Sequence, residues 1–174
     1  MEKNILLSHK FCNGEYQCDI DGSQWKSTFE YILKNKSSMN FKKNKIHTLW
    51  TVNGGHLRMK IKDDALVAQV LSIVLPNYNG IGLELYRGEC LFLYEENKIG
   101  FCWTPKKDVA KKFARGINAI ESGGVLLKAY APAISILAEP NEHSIKQMGE
   151  FEYTCDPSLL KNIEVVELFQ KVRL

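Results

Sequence analysis

Gly82-Leu83-Glu84-Leu85-Tyr86-Arg87-Gly88 forms a short apolar run that ends in an arginine. The leucine-rich run predicts a β-strand over residues 83–87. Arg87 is one of only four arginines in a chain whose other basic side chains are lysines. Its planar guanidinium can hold a phosphate or a carboxylate at two points, which a lysine cannot do. We therefore expect Arg87 either to bind an anionic ligand or to form an ion pair with a carboxylate such as Glu84 or Glu89.

The segments on either side of this strand predict a mixture of helices and strands. Apolar residues at helical spacing predict amphipathic helices over residues 24–35 and 64–75. A third helix is predicted from Thr104-Pro105 to Arg115-Gly116, because threonine is a good N-cap, proline suits the first helical position and glycine ends helices. The other predicted strands are 46–52, 56–61, 91–94, 99–103, 125–131, 134–137, 151–155 and 163–169. The turn Asn53-Gly54-Gly55 between the first two predicts a hairpin. Because helices and strands do not alternate regularly, the predicted fold class is α+β.

Length and composition indicate one globular domain over residues 1–174. Of these residues 45% are hydrophobic, which is enough for a substantial core. The 23 Lys and Arg residues against 20 Asp and Glu give a net charge of only +3, which does not by itself imply a polyanionic partner. The stretch Lys34–Lys45 carries five lysines and no acid. It predicts a solvated loop, with nucleic-acid binding as the less favoured alternative. Residues 1–23 predict a loop with one short strand.

The cysteines and histidines indicate a reduced, metal-free protein. The five cysteines are odd in number and have no CxxC pair, and the four histidines are scattered. No signal peptide or membrane-spanning run is recognisable, so we expect a cytoplasmic protein without membrane partners.

Three short motifs follow one another in the second half of the chain. They are Tyr86-Arg87-Gly88 on a strand, Gly100–Pro105 running from a strand into a helix, and Glu150-Phe151-Glu152 at the start of a late strand. In this order they resemble the ADP-ribosyltransferase superfamily, in the branch whose signature is arginine, then a serine/threonine motif, then glutamate. That branch includes bacterial toxins, phage proteins and vertebrate arginine-specific enzymes. The segment Val109–Ala114 is similar to the helix that follows the family's second motif.

The resemblance covers roughly residues 80–170 and implies a fold. It implies two packed, mainly antiparallel sheets that form a cleft for NAD, with helices mostly from the N-terminal half. Residues 1–79 would then be an accessory helical part, and residues 80–174 the catalytic core.

The resemblance also implies a reaction and a set of roles. The reaction is mono-ADP-ribosyl transfer from NAD to an acceptor, with release of nicotinamide, as in a toxin or effector. Cleavage leaves an oxocarbenium-like ribose, which a carboxylate stabilises. Glu152 would supply that carboxylate, and Glu150 would orient or deprotonate the acceptor, with an arginine side chain of a protein as the favoured acceptor. Arg87 would serve both catalysis and NAD binding. The other implied NAD-binding residues are Gly88, Trp103, Thr104 and Phe113.

Several alternatives stay open at this point. Phe113 and Trp103 could be core residues, as aromatic side chains at such spacing usually are. Cys102 stands where the family usually has serine, and a thiol is a poorer hydrogen-bond partner. The chain could therefore be a catalytically weak binding or effector protein, or an NAD glycohydrolase with water as acceptor. Cys102 or Cys155 with His143 could instead form a cysteine hydrolase site. The loop 139–149, which precedes Glu150, is predicted to recognise the acceptor.

Overall fold

The computed structural model describes residues 2–172, apart from the side chain of Glu2, and confirms the α+β class. The chain divides into two compact units, Met1–Asn77 and Tyr78–Leu174. Within the described part of the chain, no helix has the length and apolar character needed to cross a membrane.

The first unit is helical. Its helices are α1 (Glu2–Cys12), α2 (Gly22–Asn35), α3 (Lys43–Ile61) and α4 (Asp64–Val74). Two of them confirm the helices predicted over 24–35 and 64–75. Asp21 and Asp63 cap α2 and α4 by accepting hydrogen bonds from backbone N–H groups of the first turn. The basic stretch Lys34–Lys45 runs from the end of α2 through a 3₁₀ turn into α3.

The loop predicted over Lys34–Lys45 is limited to residues 39–42, because helices take up the rest of the stretch. Two other predictions in this unit were wrong. Residues 2–12 form α1 instead of a loop and strand, because Leu7 and Phe11, four residues apart, bury the same helix face. The predicted hairpin over 46–61 is part of α3. There Gly54 lies against the ring of Trp50, where a Cβ would come within 2.8 Å of the indole. The glycine therefore serves close packing along one helix face instead of a turn.

The second unit contains two antiparallel sheets of three strands each. The order of the first is β1-β3-β6 and that of the second β2-β5-β4. The strands are β1 (Leu83–Cys90), β2 (Cys102–Trp103), β3 (Gly124–Ala131), β4 (Ile136–Ala138), β5 (Tyr153–Cys155) and β6 (Lys161–Phe169). Leu85 and Leu127 of the first sheet share one buried cluster with Trp103 and Ile136 of the second.

The helices of this unit are α5 (Leu91–Glu95) and α6 (Lys107–Arg115). The strand predicted over 91–94 was wrong, because this segment forms α5. Leu91 and Tyr94 are three residues apart, and the helix places both side chains against the same buried cluster. The strand predicted over 99–103 shortens to β2. Helix α6 begins at Lys107 instead of at Pro105, because Thr104 still belongs to the extended segment that pairs with Tyr86.

Candidate active site

Arg87 forms a buried ion pair within its own strand. Its Nε donates a 2.7 Å hydrogen bond to the carboxylate of Glu89, and its Nη1 donates one of 2.7 Å to the carbonyl of Cys102. The alternative of an ion pair with Glu89 is therefore realised. These bonds use two of the five guanidinium N–H groups, and 16% of the side chain is exposed.

Glu89 is 2% exposed and fully engaged. Besides Arg87, it accepts hydrogen bonds of 2.9 Å from the backbone N–H groups of Gly100 and Cys90. Burial acts to raise the pKa of Glu89, but Arg87 and these N–H donors outweigh it and lower the pKa below its ordinary value. Glu89 is thus a charged carboxylate that fixes the guanidinium.

Gly100 makes room for the guanidinium. A Cβ at this position would come within 2.6 Å of Arg87 Cζ. The second motif therefore opens with a glycine because the flat face of the arginine lies against its backbone.

Thr104 connects the three motifs. It exchanges backbone hydrogen bonds of 2.7 and 2.9 Å with Tyr86 of the first motif. Its hydroxyl accepts a 3.1 Å bond from Lys106 N–H and donates a 2.7 Å bond to the backbone carbonyl of Glu150. Thr104 is 7% exposed, so its hydroxyl braces the glutamate segment from inside the protein.

Glu152 presents a buried carboxylate that is only partly satisfied. The residue is 9% exposed, and its Oε1 has no hydrogen-bond partner in the described part of the chain. Burial raises the pKa of Glu152 to about 7. The largest opposing effect is a hydrogen bond from the Cys102 thiol, which lowers the pKa. The charge of Glu150 raises the pKa further, and the charge of Arg87 lowers it. A buried carboxylate with a free oxygen near a cation is a common arrangement in catalytic sites.

Glu150 lies at the rim of this arrangement. It is half-buried, and burial raises its pKa against the opposing effect of His143. Its backbone N–H donates a 2.9 Å bond to the carbonyl of Ser144, and Glu152 N–H donates one of 2.8 Å to the hydroxyl of the same serine. Ser144 was assigned no role from sequence, because a serine in a polar loop carries no distinctive signal.

Of the remaining residues expected to bind NAD, two are buried and one is exposed. Trp103 is 1% exposed, and its indole N–H donates a 3.0 Å bond to Gly100 O. Gly88 is buried beneath α6, where a Cβ would meet the backbone of Ala110. Phe113 lies on α6 with 38% of its surface exposed and is the one of these three that a ligand can reach.

The thiols do not support a cysteine hydrolase. Burial raises the pKa of Cys102 and of Cys155 far above the ordinary value, and Glu152 adds to both shifts. A nucleophilic cysteine needs the opposite shift. Both thiols are therefore protonated at neutral pH.

The arrangement brings together Arg87, Thr104, Glu150 and Glu152, from three separated segments of the chain. Comparison of the chain with protein-family models, with curated proteins and with solved structures finds no significant match.

Proposed function

We propose that this chain is a mono-ADP-ribosyltransferase that transfers ADP-ribose from NAD to an acceptor and releases nicotinamide. The observation that carries the proposal is the Glu152 carboxylate, which is buried, has an unpaired oxygen and interacts electrostatically with Arg87. The hydrogen bond from Thr104 to the carbonyl of Glu150 supports the same interpretation, because it joins the second motif to the third.

Each step of the reaction has a group that can serve it. When the bond between ribose C1′ and the nicotinamide nitrogen breaks, its electron pair leaves with nicotinamide and positive charge develops on the ribose. An ionised Glu152 stabilises that charge, which is present in the transition state and absent in bound NAD. The acceptor then forms a new bond to C1′ and gives up a proton, for which Glu150 is the candidate base.

Arg87 is suited to hold the phosphates of NAD. Glu89 and the Cys102 carbonyl use two of its N–H groups and fix the plane of the guanidinium. A pre-oriented guanidinium loses little freedom when it binds a phosphate oxygen.

Glu150 is the first glutamate of the third motif. In the family that the chain resembles, a glutamate at this position goes with arginine acceptors, and a glutamine with asparagine or other acceptors. We therefore favour an arginine side chain of a protein.

The proposal is tested by incubating the purified protein with NAD and an arginine-containing peptide and measuring free nicotinamide and modified peptide. Glu152→Gln should abolish turnover and keep NAD binding, whereas Glu121→Gln, at an exposed position in the same unit, should change neither. Absence of nicotinamide release with every acceptor tried, together with no rise in Tm on adding NAD, would rule out the enzyme.

A second candidate is a catalytically weak protein that binds NAD or a partner without turnover. It is favoured by the Cys102 thiol, which replaces the hydroxyl expected beside the glutamate and is a weaker donor. An NAD-dependent rise in Tm without nicotinamide release would identify this case. Nicotinamide release that is independent of any acceptor would instead identify an NAD glycohydrolase.

A further inference from the structure

Ser144 connects the loop 139–149 to Glu150 and Glu152, which follow this loop, through hydrogen bonds. It is fully buried, and all three of its polar groups are used. Its N–H donates a 2.8 Å bond to the side chain of Asn141, and its carbonyl accepts a 2.9 Å bond from Glu150 N–H. Its hydroxyl accepts a 2.8 Å bond from the N–H of Glu152.

The backbone that Ser144 holds adopts unusual conformations. Gly149 has a φ of 68° and Phe151, between the two glutamates, a φ of 52°. A left-handed conformation is uncommon for a bulky residue such as phenylalanine and persists only where surrounding contacts impose it. Residues 143–148 form a π-helical turn, a rare geometry that is frequent at functional sites.

The position of the Glu152 carboxylate depends on these backbone contacts. Its side chain has the Cys102 thiol as a partner and one oxygen without any. No strong side-chain bond therefore fixes the carboxylate. Thr104 holds the glutamate segment on one side through the Glu150 carbonyl, and Ser144 holds it on the other.

We propose that Ser144 is the positioning residue that places the Glu152 carboxylate for catalysis, so that the loop 141–149 belongs to the catalytic machinery. This inference rests on the transferase activity proposed above. It assigns to the loop a role in the chemical step in addition to any contact with the acceptor.

The test compares Ser144→Ala with Ser135→Ala. Ser135 is equally buried in the same unit, and its hydroxyl donates a hydrogen bond to a backbone group, the carbonyl of Pro132, instead of accepting one from a glutamate N–H. Ser144→Ala should lower kcat roughly a hundredfold, as expected for a misplaced catalytic group, and leave the KM for NAD nearly unchanged. Ser135→Ala should destabilise the protein to a similar degree and keep kcat. Equal kcat values for the two variants overturn the proposal.

A second measurement keeps the positioning role separate from the activity itself. The titration of the Glu152 carboxyl, followed by NMR with carbon-labelled glutamate and assigned with Glu152→Gln, should move in Ser144→Ala towards the ordinary value of about 4.3. If the wild-type protein releases no nicotinamide, the proposed transferase fails, and this titration still decides whether Ser144 places the carboxylate. An unchanged midpoint overturns the proposal whatever the activity.

If Ser144→Ala does not fold, Ser144→Cys keeps the side-chain volume with a weaker acceptor. It should show both the lower kcat and the shifted titration of Glu152, to a smaller extent.

Discussion

The guanidinium of Arg87 and the carboxylate of Glu89 lie 2.7 Å apart on the same face of one strand, with side-chain exposures of 16% and 2%. This pair ties the proposed ligand-binding arginine to the folded core. Arg87 therefore has a structural role and a proposed functional role at once, and a single substitution affects both.

The first prediction separates these two roles. Arg87→Ala should lower the free energy of unfolding by about 3 kcal/mol, because it leaves a buried, uncompensated carboxylate. The double variant Arg87→Met/Glu89→Gln removes both charges. It keeps one carbonyl oxygen, which can accept from Gly100 N–H or from Cys90 N–H but not from both, because these donors bind different oxygens of Glu89. It should regain part of the stability in urea denaturation and still fail to bind NAD in calorimetry. NAD binding by the double variant would mean that Arg87 has only the structural role.

The second prediction concerns the glycine beneath α6. Gly88→Ala should destabilise the protein by about 2 kcal/mol or more, because its Cβ would meet backbone atoms of Ala110 and Ala114, which cannot move independently of the helix. Gly55→Ala is the matched control: it lies inside α3 with nothing within 4 Å of its added Cβ. It should stabilise the protein by roughly 0.5–1 kcal/mol through helix propensity. Thermal unfolding of both variants measures the difference, and equal effects would contradict this packing.

The third prediction concerns the thiol beside Glu152. Cys102→Ser replaces a weak donor by a hydroxyl, which binds an ionised carboxylate more strongly and should therefore lower the pKa of Glu152. The pH profile of kcat/KM for NAD should shift to lower pH, with more activity near pH 6. Cys18→Ser, at an exposed cysteine of the helical unit, should leave the profile unchanged. A profile that does not move in Cys102→Ser would show that the thiol does not control this carboxyl group.

Helices and strands could be predicted from the sequence where the spacing of their apolar residues fits only one kind of element. The spacing of apolar residues was sufficient for α2, α4, β3 and β6. It failed for α3, because Asn53-Gly54-Gly55 satisfies the rule for a hairpin turn while the packing of Gly54 against Trp50 determines the actual conformation. Local preference was overridden there by burial along a long helix face.

The proposed site was predictable to the extent that it consists of motifs. Thr104 joins the three motifs through its hydrogen bonds to Tyr86 and to the carbonyl of Glu150. Glu89 could be named as a possible ion-pair partner because it lies two residues from Arg87. Ser144 could not be predicted, because it acts through contacts with a segment that only the fold brings near. Gly100 illustrates the same limit, since a glycine at the start of a strand gives no sign of the guanidinium that covers it.

The fourth prediction follows from the environment of Glu152, whose pKa is raised to about 7, chiefly by burial. In the unfolded chain the same group titrates near about 4.3, so the folded state binds its proton more tightly. The associated stability is fully present below about pH 4 and is lost as the pH rises through about 7. Relative to Glu152→Gln, the wild-type free energy of unfolding should therefore fall by an amount on the order of 3 kcal/mol between pH 4 and pH 8.

Over the same interval kcat/KM should rise, because the transition state needs the ionised carboxylate. Urea denaturation and initial rates across this range measure the two trends. Stability that changes with pH equally in both proteins would contradict the burial of this charge, and activity that falls as stability falls would show that Glu152 acts in its protonated form.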